Sequence, residues 1–330
     1  MPQITNDPDG TSFPCGEDDT ILRAALRAGI AMPYSCNTGS CGNCRFQLIE
    51  GAVRHLRADA PAWNERELAR NRWLGCQAVP SGDCRVKFRT MPQYTPPVRP
   101  ARRRAELTAI RPVTRDISEF SFRIEGDADL RPGQYALFHV PGVEGARAYS
   151  MCNLAVDGDW RFMVKLMPGG AASGWLFDAQ PGAALMLDGP YGTAFLQPDS
   201  PRDIVLLAGG SGLSPMVSIA RGAKAAGMLG DRKLHLFYGG RQVADLCDAG
   251  VCGPDLDGHV HFTAALSDPP ASGWEGATGF LHDVVRDAMG EALAACEIYF
   301  AGPAVMSAAV QKMAHEAGVP PGQLHFDEFF

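Results

Sequence analysis

The sequence lacks any apolar stretch able to cross a bilayer. Its purest run, Ile204 to Ala208, has five residues, against the roughly 20 that a spanning helix needs. Met1 to Gly10 contains neither a basic stretch nor an apolar core, so no secretory signal and no membrane partner are expected, and a cytoplasmic setting is. Internal repeats and low-complexity tracts are missing. So are E-x-x-H, the signature of a di-iron carboxylate site, and C-x-H, expected of a Rieske centre; neither centre is expected in this chain. The ten cysteines do not read as a disulfide framework, because the cytosol keeps thiols reduced. Where cysteines cluster in such a chain, they point to metal.

What is present fits a folded protein of two or three domains: 330 residues, 46% hydrophobic and 20% charged. The net charge of −7 is unevenly spread, with residues 1–90 at +1 and residues 106–330 at −12. A mildly positive head on an acidic body argues against nucleic acid as a partner. The proline- and arginine-rich stretch 91–105 reads as a stiff linker, its Arg102–Arg104 run as a solvated face. A softer boundary falls near Leu196 to Pro201, giving units of 1–90, 106–200 and 201–330. The first mixes a helix over Thr20–Ala28 with short strands at Arg45–Ile49 and Cys84–Phe88. The second reads as strands broken by Pro and Gly (Ser118–Ile124, Tyr135–Val140, Arg161–Lys165), a spacing that suggests an antiparallel barrel. The third alternates strands (Ile204–Ala208, Leu234–Tyr238, His261–Ala265, Ile298–Ala301) with helices from Pro215, near Leu281–Met289 and over Val305–Ala317. That alternation implies an α/β doubly wound parallel sheet.

Cys36, Cys41 and Cys44 are spaced C-x4-C-x2-C, with Cys76 as a distant fourth. This is the plant-type [2Fe–2S] spacing, and a structural zinc site would instead show a second short pair. Gly39 and Gly42 let the loop turn its amides toward the sulfurs.

Two further motifs handle phosphate and aromatic rings. In Arg147-Ala148-Tyr149-Ser150 a guanidinium can pair with phosphate, a phenol ring can cover an isoalloxazine, and a hydroxyl can reach flavin N5. Pro132-Gly133-Gln134-Tyr135 precedes it. Gly169-Gly170-Ala171-Ala172-Ser173 follows, where amides at a helix start can hold a pyrophosphate. Gly209-Gly210-Ser211-Gly212-Leu213-Ser214-Pro215 comes after an apolar strand and opens a helix. Proline stands where a dinucleotide fingerprint has its third glycine, yet the mechanics of a tight turn and a phosphate-facing helix end remain.

On these motifs the chain resembles, over its full length, the ferredoxin–NAD(P)H reductase family with an N-terminal plant-type ferredoxin. The family's R-x-Y-S matches Arg147–Ser150, its G-G-[ST]-G-x-x-P-M matches Gly209–Met216, and Gly189-Pro190-Tyr191-Gly192 also fits. The resemblance implies a β-grasp fold for the first unit. It also implies FAD bound by Arg147, Ala148, Tyr149, Ser150, Gly170, Ala172, Ser173 and the terminal Phe330, with Ser150 and Tyr149 at the reacting ring. NADH, or NADPH, is implied at Gly210, Ser211, Gly212, Pro215, Arg241, Gly302 and Pro303. NADH is the preferred nucleotide, although Arg241 would favour a 2′-phosphate that Asp245 would repel. Ala301 stands where the family usually has the cysteine of C-G-P.

More narrowly, Asp59-Ala60-Pro61, Arg66-Glu67-Leu68, Asn71-Arg72, Gly75-Cys76-Gln77 and the ending His325 to Phe330 are similar to reductase components of toluene-type aromatic monooxygenases. This implies electron delivery from NADH through FAD and the cluster to a hydroxylase component or its Rieske or plant-type ferredoxin. The alternatives are the reductase of a Rieske dioxygenase of the carbazole type and, outside enzymes, a redox-sensing iron–sulfur binding protein.

Overall fold

The computed structural model of the protein describes residues 1–327. In the first unit Thr20 caps a helix, α1 (Ile21–Arg27), by accepting the Arg23 amide, as a threonine at this position commonly does. Ile21, Leu22, Ala25 and Leu26 are buried against strands β1 (Gln3–Asn6), β2 (Ser12–Pro14), β3 (Arg45–Glu50), β5 (Arg72–Leu74) and β7 (Cys84–Lys87). The sheet order is β2-β1-β7-β3-β5, with β1 and β7 parallel. A separate ribbon pairs β4 (Val53–His55) with β6 (Ala78–Pro80), and a short helix, α2 (Glu65–Ala69), is capped by Asn64.

The second unit is a six-stranded antiparallel sheet made of β8 (Ala101–Pro112), β9 (Ile117–Ile124), β10 (Tyr135–His139), β11 (Arg147–Ser150), β12 (Trp160–Lys165) and β13 (Ala184–Tyr191). Its order is β11-β10-β13-β8-β9-β12, and a bridge between Met151 and Phe162 brings the two edges together into a barrel. Phe120, Phe122, Phe138, Trp160 and Phe162 fill its interior, against helix α3 (Ala171–Asp178).

The first barrel strand starts at Ala101, inside the stretch read from sequence as linker. The arginine run is not a loose solvated face: Arg103 lies over the Trp160 ring at 5.4 Å and donates to the Gly189 carbonyl at 3.0 Å. A strand with three consecutive arginines has no readable inward face, which is why the sequence pattern conceals it.

The third unit is a parallel sheet ordered β17 (Ala277–Thr278), β16 (Val260–Leu266), β15 (Leu234–Gly240), β14 (Ile204–Gly209), β18 (Glu297–Ala301), β19 (Leu324–His325). The unbroken apolar run of β14 serves two cores. Ile204, Leu206 and Ala208 pack with helix α4 (Leu213–Ala225), while Val205 and Leu207 pack with α5 (Leu281–Met289) and α6 (Ala304–Glu316). A central parallel strand is buried on both faces, so its sequence does not alternate.

Candidate functional site

The cysteine loop runs between α1 and β3. Asn37, Gly39 and Gly42 all have positive φ, at 57°, 92° and 80°, and turn the loop so that amides point inward. Three of them, from Thr38, Ser40 and Cys41, donate to Cys36 Sγ at 3.4 Å each. The Cys41 thiol also donates to Cys36, which pulls the Cys36 thiol well below its ordinary value against the effect of burial. Cys44 pairs with Cys76, which arrives from the turn after β5, and both the Cys76 contact and burial push the Cys44 thiol up. Cys36, Cys44 and Cys76 are buried, and only Cys41 is part-exposed. Among the described residues no three metal-binding side chains converge on one point. The cysteines come instead as two pairs, Cys36 with Cys41 and Cys44 with Cys76, a donor set suited to a two-iron cluster held by four thiolates.

The Arg147–Ser150 strand is β11, paired with β10 so that Tyr135 lies opposite Ser150 and Leu137 opposite Ala148. The half-buried Tyr149 ring meets Phe138 edge-on, centroids 4.8 Å apart. Arg147 is exposed and folds back on the carbonyls of Glu144, Gly145 and Ala146 at 3.2–3.3 Å. Gly170 is the N-cap of α3 and provides no side-chain cap. A Cβ there would meet Ser173 Oγ at 2.7 Å; Ser173 Oγ in turn accepts the Met167 amide and donates to the Gly170 carbonyl. The start of α3, with Ala172, is thus an open helix end with no side-chain cap, the kind of end that can receive an anion.

Gly209 to Gly212 links β14 to α4 at the carboxyl edge of the parallel sheet, with Gly210 at φ 57°. Pro215 sits in the first turn of α4, where its missing amide proton costs little. A Cβ on Gly212 would lie 2.0 Å from the Ala301 carbonyl oxygen, and one on Gly209 would lie 3.2 Å from Pro303. Ser211, Ala301, Gly302 and Pro303 therefore share one sheet edge, where parallel sheets take their ligands. Ser214 ties this edge to the barrel. Its hydroxyl donates to the Ser150 carbonyl at 2.6 Å and accepts the Met163 amide at 3.0 Å. Ser218 donates to Asn153 O and Arg221 to Cys152 O, both at 2.9 Å. Arg241 lies at the far end of β15 and makes no ion pair among the described residues. Asp245 accepts the amides of Arg241 and Gln242 at 3.0 Å and pairs with Arg115 at 2.7 Å. Its charge is consumed internally, and the repulsion expected between this acid and a 2′-phosphate does not follow. Phe330 lies outside the described residues; the preceding Asp327 accepts the Thr193 amide at 3.3 Å.

The sequence did not reveal how the cysteine loop meets the barrel. The buried Tyr135 hydroxyl donates to the carbonyl of Ser35, the residue before Cys36. Tyr34 accepts the Gly192 amide at 3.0 Å. Beside them Asp188 is fully buried and takes both Arg27 contacts at 2.7 Å, the Tyr191 hydroxyl at 2.8 Å and Arg102 at 3.5 Å. Burial raises the Asp188 carboxyl, but Arg27, Arg23, Tyr191 and Arg102 together bring it below its ordinary 3.8. A carboxyl lowered on folding contributes stability above its unfolded value and loses that contribution as pH falls through the folded one.

Asp188→Asn should therefore destabilise the protein at pH 7 by about 3 kcal/mol, at the low end for a broken buried pair because both arginines reach solvent. In urea denaturation the gap should shrink as the pH is lowered below about 4. A gap under about 1 kcal/mol, or one independent of pH, would show that the charge does not hold the units together.

Comparison with known proteins agrees with this layout. Residues 4–81 match a 2Fe-2S iron-sulfur cluster binding domain, residues 104–195 an oxidoreductase FAD-binding domain, and residues 206–312 an oxidoreductase NAD-binding domain. The chain is 39% identical over 323 residues, covering 96% of each protein, to the ferredoxin–NAD(P)+ reductase CarAd of Metapseudomonas resinovorans. It is 36% identical to the ferredoxin–NAD+ reductase component of the alkene monooxygenase system of Xanthobacter autotrophicus, covering 97% of this chain and 98% of that one. A solved structure titled as the ferredoxin reductase in carbazole 1,9a-dioxygenase superposes with a TM-score of 0.92 at 37% identity, covering 100% of this chain and 98% of the other. With two cysteine pairs, a flavin barrel and a nucleotide sheet in one chain, the protein belongs to the ferredoxin–NAD(P)H reductase family with an N-terminal plant-type [2Fe–2S] domain, the oxidoreductases that supply the reductase components of multicomponent oxygenase systems.

Proposed function

We propose that the protein carries electrons from NADH through FAD and a [2Fe–2S] cluster, held by Cys36, Cys41, Cys44 and Cys76, to the acceptor of an aromatic-hydrocarbon oxygenase. The observation that carries this reading is the Tyr135 bridge: one buried side chain lies opposite Ser150 on the flavin strand and holds the Ser35 carbonyl beside Cys36. FAD supplies the conversion of a two-electron hydride into single electrons, and the cluster supplies one-electron carriage.

The chain's own residues do the rest. Arg147 and the α3 amides at Ala172 and Ser173 bind phosphate, and Ala148, Tyr149 and Ser150 line the ring. Gly210, Ser211, Gly212, Gly302 and Pro303 form the backbone shelf for the nicotinamide nucleotide. Ser214 fixes that shelf against the ring-binding strand. A cytoplasmic setting fits ten free cysteines, and no helix among the described residues is long and apolar enough to cross a membrane.

Two acceptors suit this module. The toluene-type monooxygenase reading rests on the residues quoted from 59 to 77 and the chain ending. Likeness to the carbazole dioxygenase reductase favours a Rieske-type system. Anaerobic stopped-flow reduction by NADH should bleach flavin first and cluster second; a cluster that stays oxidised would leave the sensing alternative in place. Reoxidation by a Rieske ferredoxin faster than by a di-iron hydroxylase would select the dioxygenase system, and the reverse order the monooxygenase.

Nucleotide choice should be mild. Because Asp245 is neutralised by Arg115 and two amides, Arg241 remains able to receive a 2′-phosphate. The ratio of kcat/KM for NADH over NADPH should exceed one but stay under about tenfold, or 1.4 kcal/mol. Arg241→Ala should widen it by weakening NADPH alone. Higher kcat/KM with NADPH would refute the preference.

A further inference from the structure

The cluster has two sides. Ser35 and Cys36 face the barrel through Tyr135, so that side is taken by the contact with the flavin unit. Of the four cysteines, only Cys41 is part-exposed.

A groove of about 470 Å³ runs over strands β3, β5 and β7 and meets the cluster loop at Arg45, the residue after Cys44. Its walls carry Arg45, Arg72, Lys87 and Arg89 against a single acid, Asp9. Strand alternation explains the segregation. Along β3 and β7 the exposed residues are Arg45, Gln47, Ile49, Glu50, Arg85 and Lys87, while Phe46, Leu48, Cys84 and Val86 turn inward; Glu50 pairs with Arg85 at 3.0 Å, at the end of the strands away from Arg45 and Lys87. Gln47 pairs in register with both Lys87 and Arg72, which places the three side by side. Arg45 joins the groove to the cluster loop: its guanidinium occupies the space over Gly42, 2.7 Å from where a Cβ would stand. Glu67 reaches Arg45 and Arg72 only at 3.7 and 3.9 Å. Lys87 and Arg89 are exposed and make no ion pair among the described residues.

We propose that this groove is the docking surface for the electron acceptor, and that it selects a redox protein presenting a carboxylate-rich face. The inference rests on the reductase reading above and adds to it the exit side of the cluster and the charge of the partner. Opposite charge steers encounter and orients the partner toward Cys41, and salt weakens it. The rest of the chain, 106–330, is acidic at −12. A cationic surface beside the cluster therefore runs against the overall charge of the molecule.

The holoprotein can be tested with two haem acceptors of opposite charge, acidic cytochrome b5 and basic cytochrome c. Ferricyanide reads the flavin directly, and the rate through the cluster is the part lost in a Cys76→Ser control. The double variant Lys87→Glu/Arg89→Glu should lower kcat/KM for cytochrome b5 at least about tenfold and flatten its salt dependence. Cytochrome c reduction should hold or rise, with ferricyanide reduction unchanged. Gln47→Glu, which adds one charge on the groove floor, should move cytochrome b5 in the same direction by a smaller factor. An unchanged cytochrome b5 rate, or an equal fall with both cytochromes, would overturn the assignment. If the unaltered protein failed to reduce ferricyanide with NADH, the reductase reading itself would fail, whatever the groove does.

Discussion

Cys76→Ser is expected to leave reduction of the flavin by NADH within about twofold while lowering reduction of a one-electron protein acceptor by at least a hundredfold, because the cluster alone lies between the two. Three of the cysteines come from one loop and are positioned by its own turns. Cys76 comes from the far end of β5, is fully buried, and pairs with Cys44. Serine offers an oxygen that is a poor partner for iron in a thiolate set. It also leaves Gln77 Nε2 without the sulfur it contacts at 3.7 Å. Purified variant protein should hold well under the roughly two irons per chain of a complete cluster, and after reduction it should lack the [2Fe–2S] electron paramagnetic resonance signal. Flavin content should be normal, since the FAD-binding unit takes no residue from this loop. A variant that kept its iron and its signal would remove Cys76 from the ligand set.

Gly212→Ala should be nearly as damaging at the other end of the path. Gly212 has an ordinary φ of −59°, so alanine fits its backbone angles and the effect is purely steric. Its Cβ would stand 2.0 Å from the oxygen and 2.4 Å from the carbon of the Ala301 carbonyl. These are backbone atoms of a central strand and have no rotamer to yield. The start of α4 must shift, and with it the amides of Gly210 and Ser211 and the Ser214 hydroxyl that anchors the shelf to Ser150. A fall in kcat/KM for NADH of about a hundredfold, some 2.7 kcal/mol, is expected, carried by both KM and the hydride-transfer rate. Gly174→Ala on α3, where nothing lies within 4 Å of the new methyl, is the matching control and should be silent. Wild-type kinetics in Gly212→Ala would mean that the loop and the Ala301 segment do not act as one surface.

How much of this was legible from the sequence follows the distance between interacting residues. The cysteine loop, Arg147–Ser150 and Gly209–Gly212 carry their meaning within a few residues, since each is a turn whose amides and side chains work together. The alternation of strand and helix in the third unit was equally plain, because β14 is apolar on both faces. Contacts that join units had no such signature. Arg27 meets Asp188 across 161 positions, and Tyr135 meets Ser35 across 100. Neither residue looks special beside its neighbours. Asp245 was misjudged for the same reason: the guanidinium that neutralises it belongs to Arg115, in the barrel. The opening of β8 was concealed by its arginines, and the role assigned to Phe330 falls beyond the described residues.

The span from Arg27 to Asp188 also bears on how the chain is made. At roughly 5–20 residues per second, a ribosome needs about 8–30 s to extend a nascent chain from one to the other. For the part of that interval after Lys87 is made, the N-terminal unit has every strand of its own sheet, so it can close around α1 before the barrel is complete. Yet Arg27 and Tyr34 still face water, awaiting a carboxylate and an amide not yet synthesised. The newborn unit thus emerges with a ready but unoccupied seat, and that seat is filled only after the barrel's last strand leaves the exit tunnel.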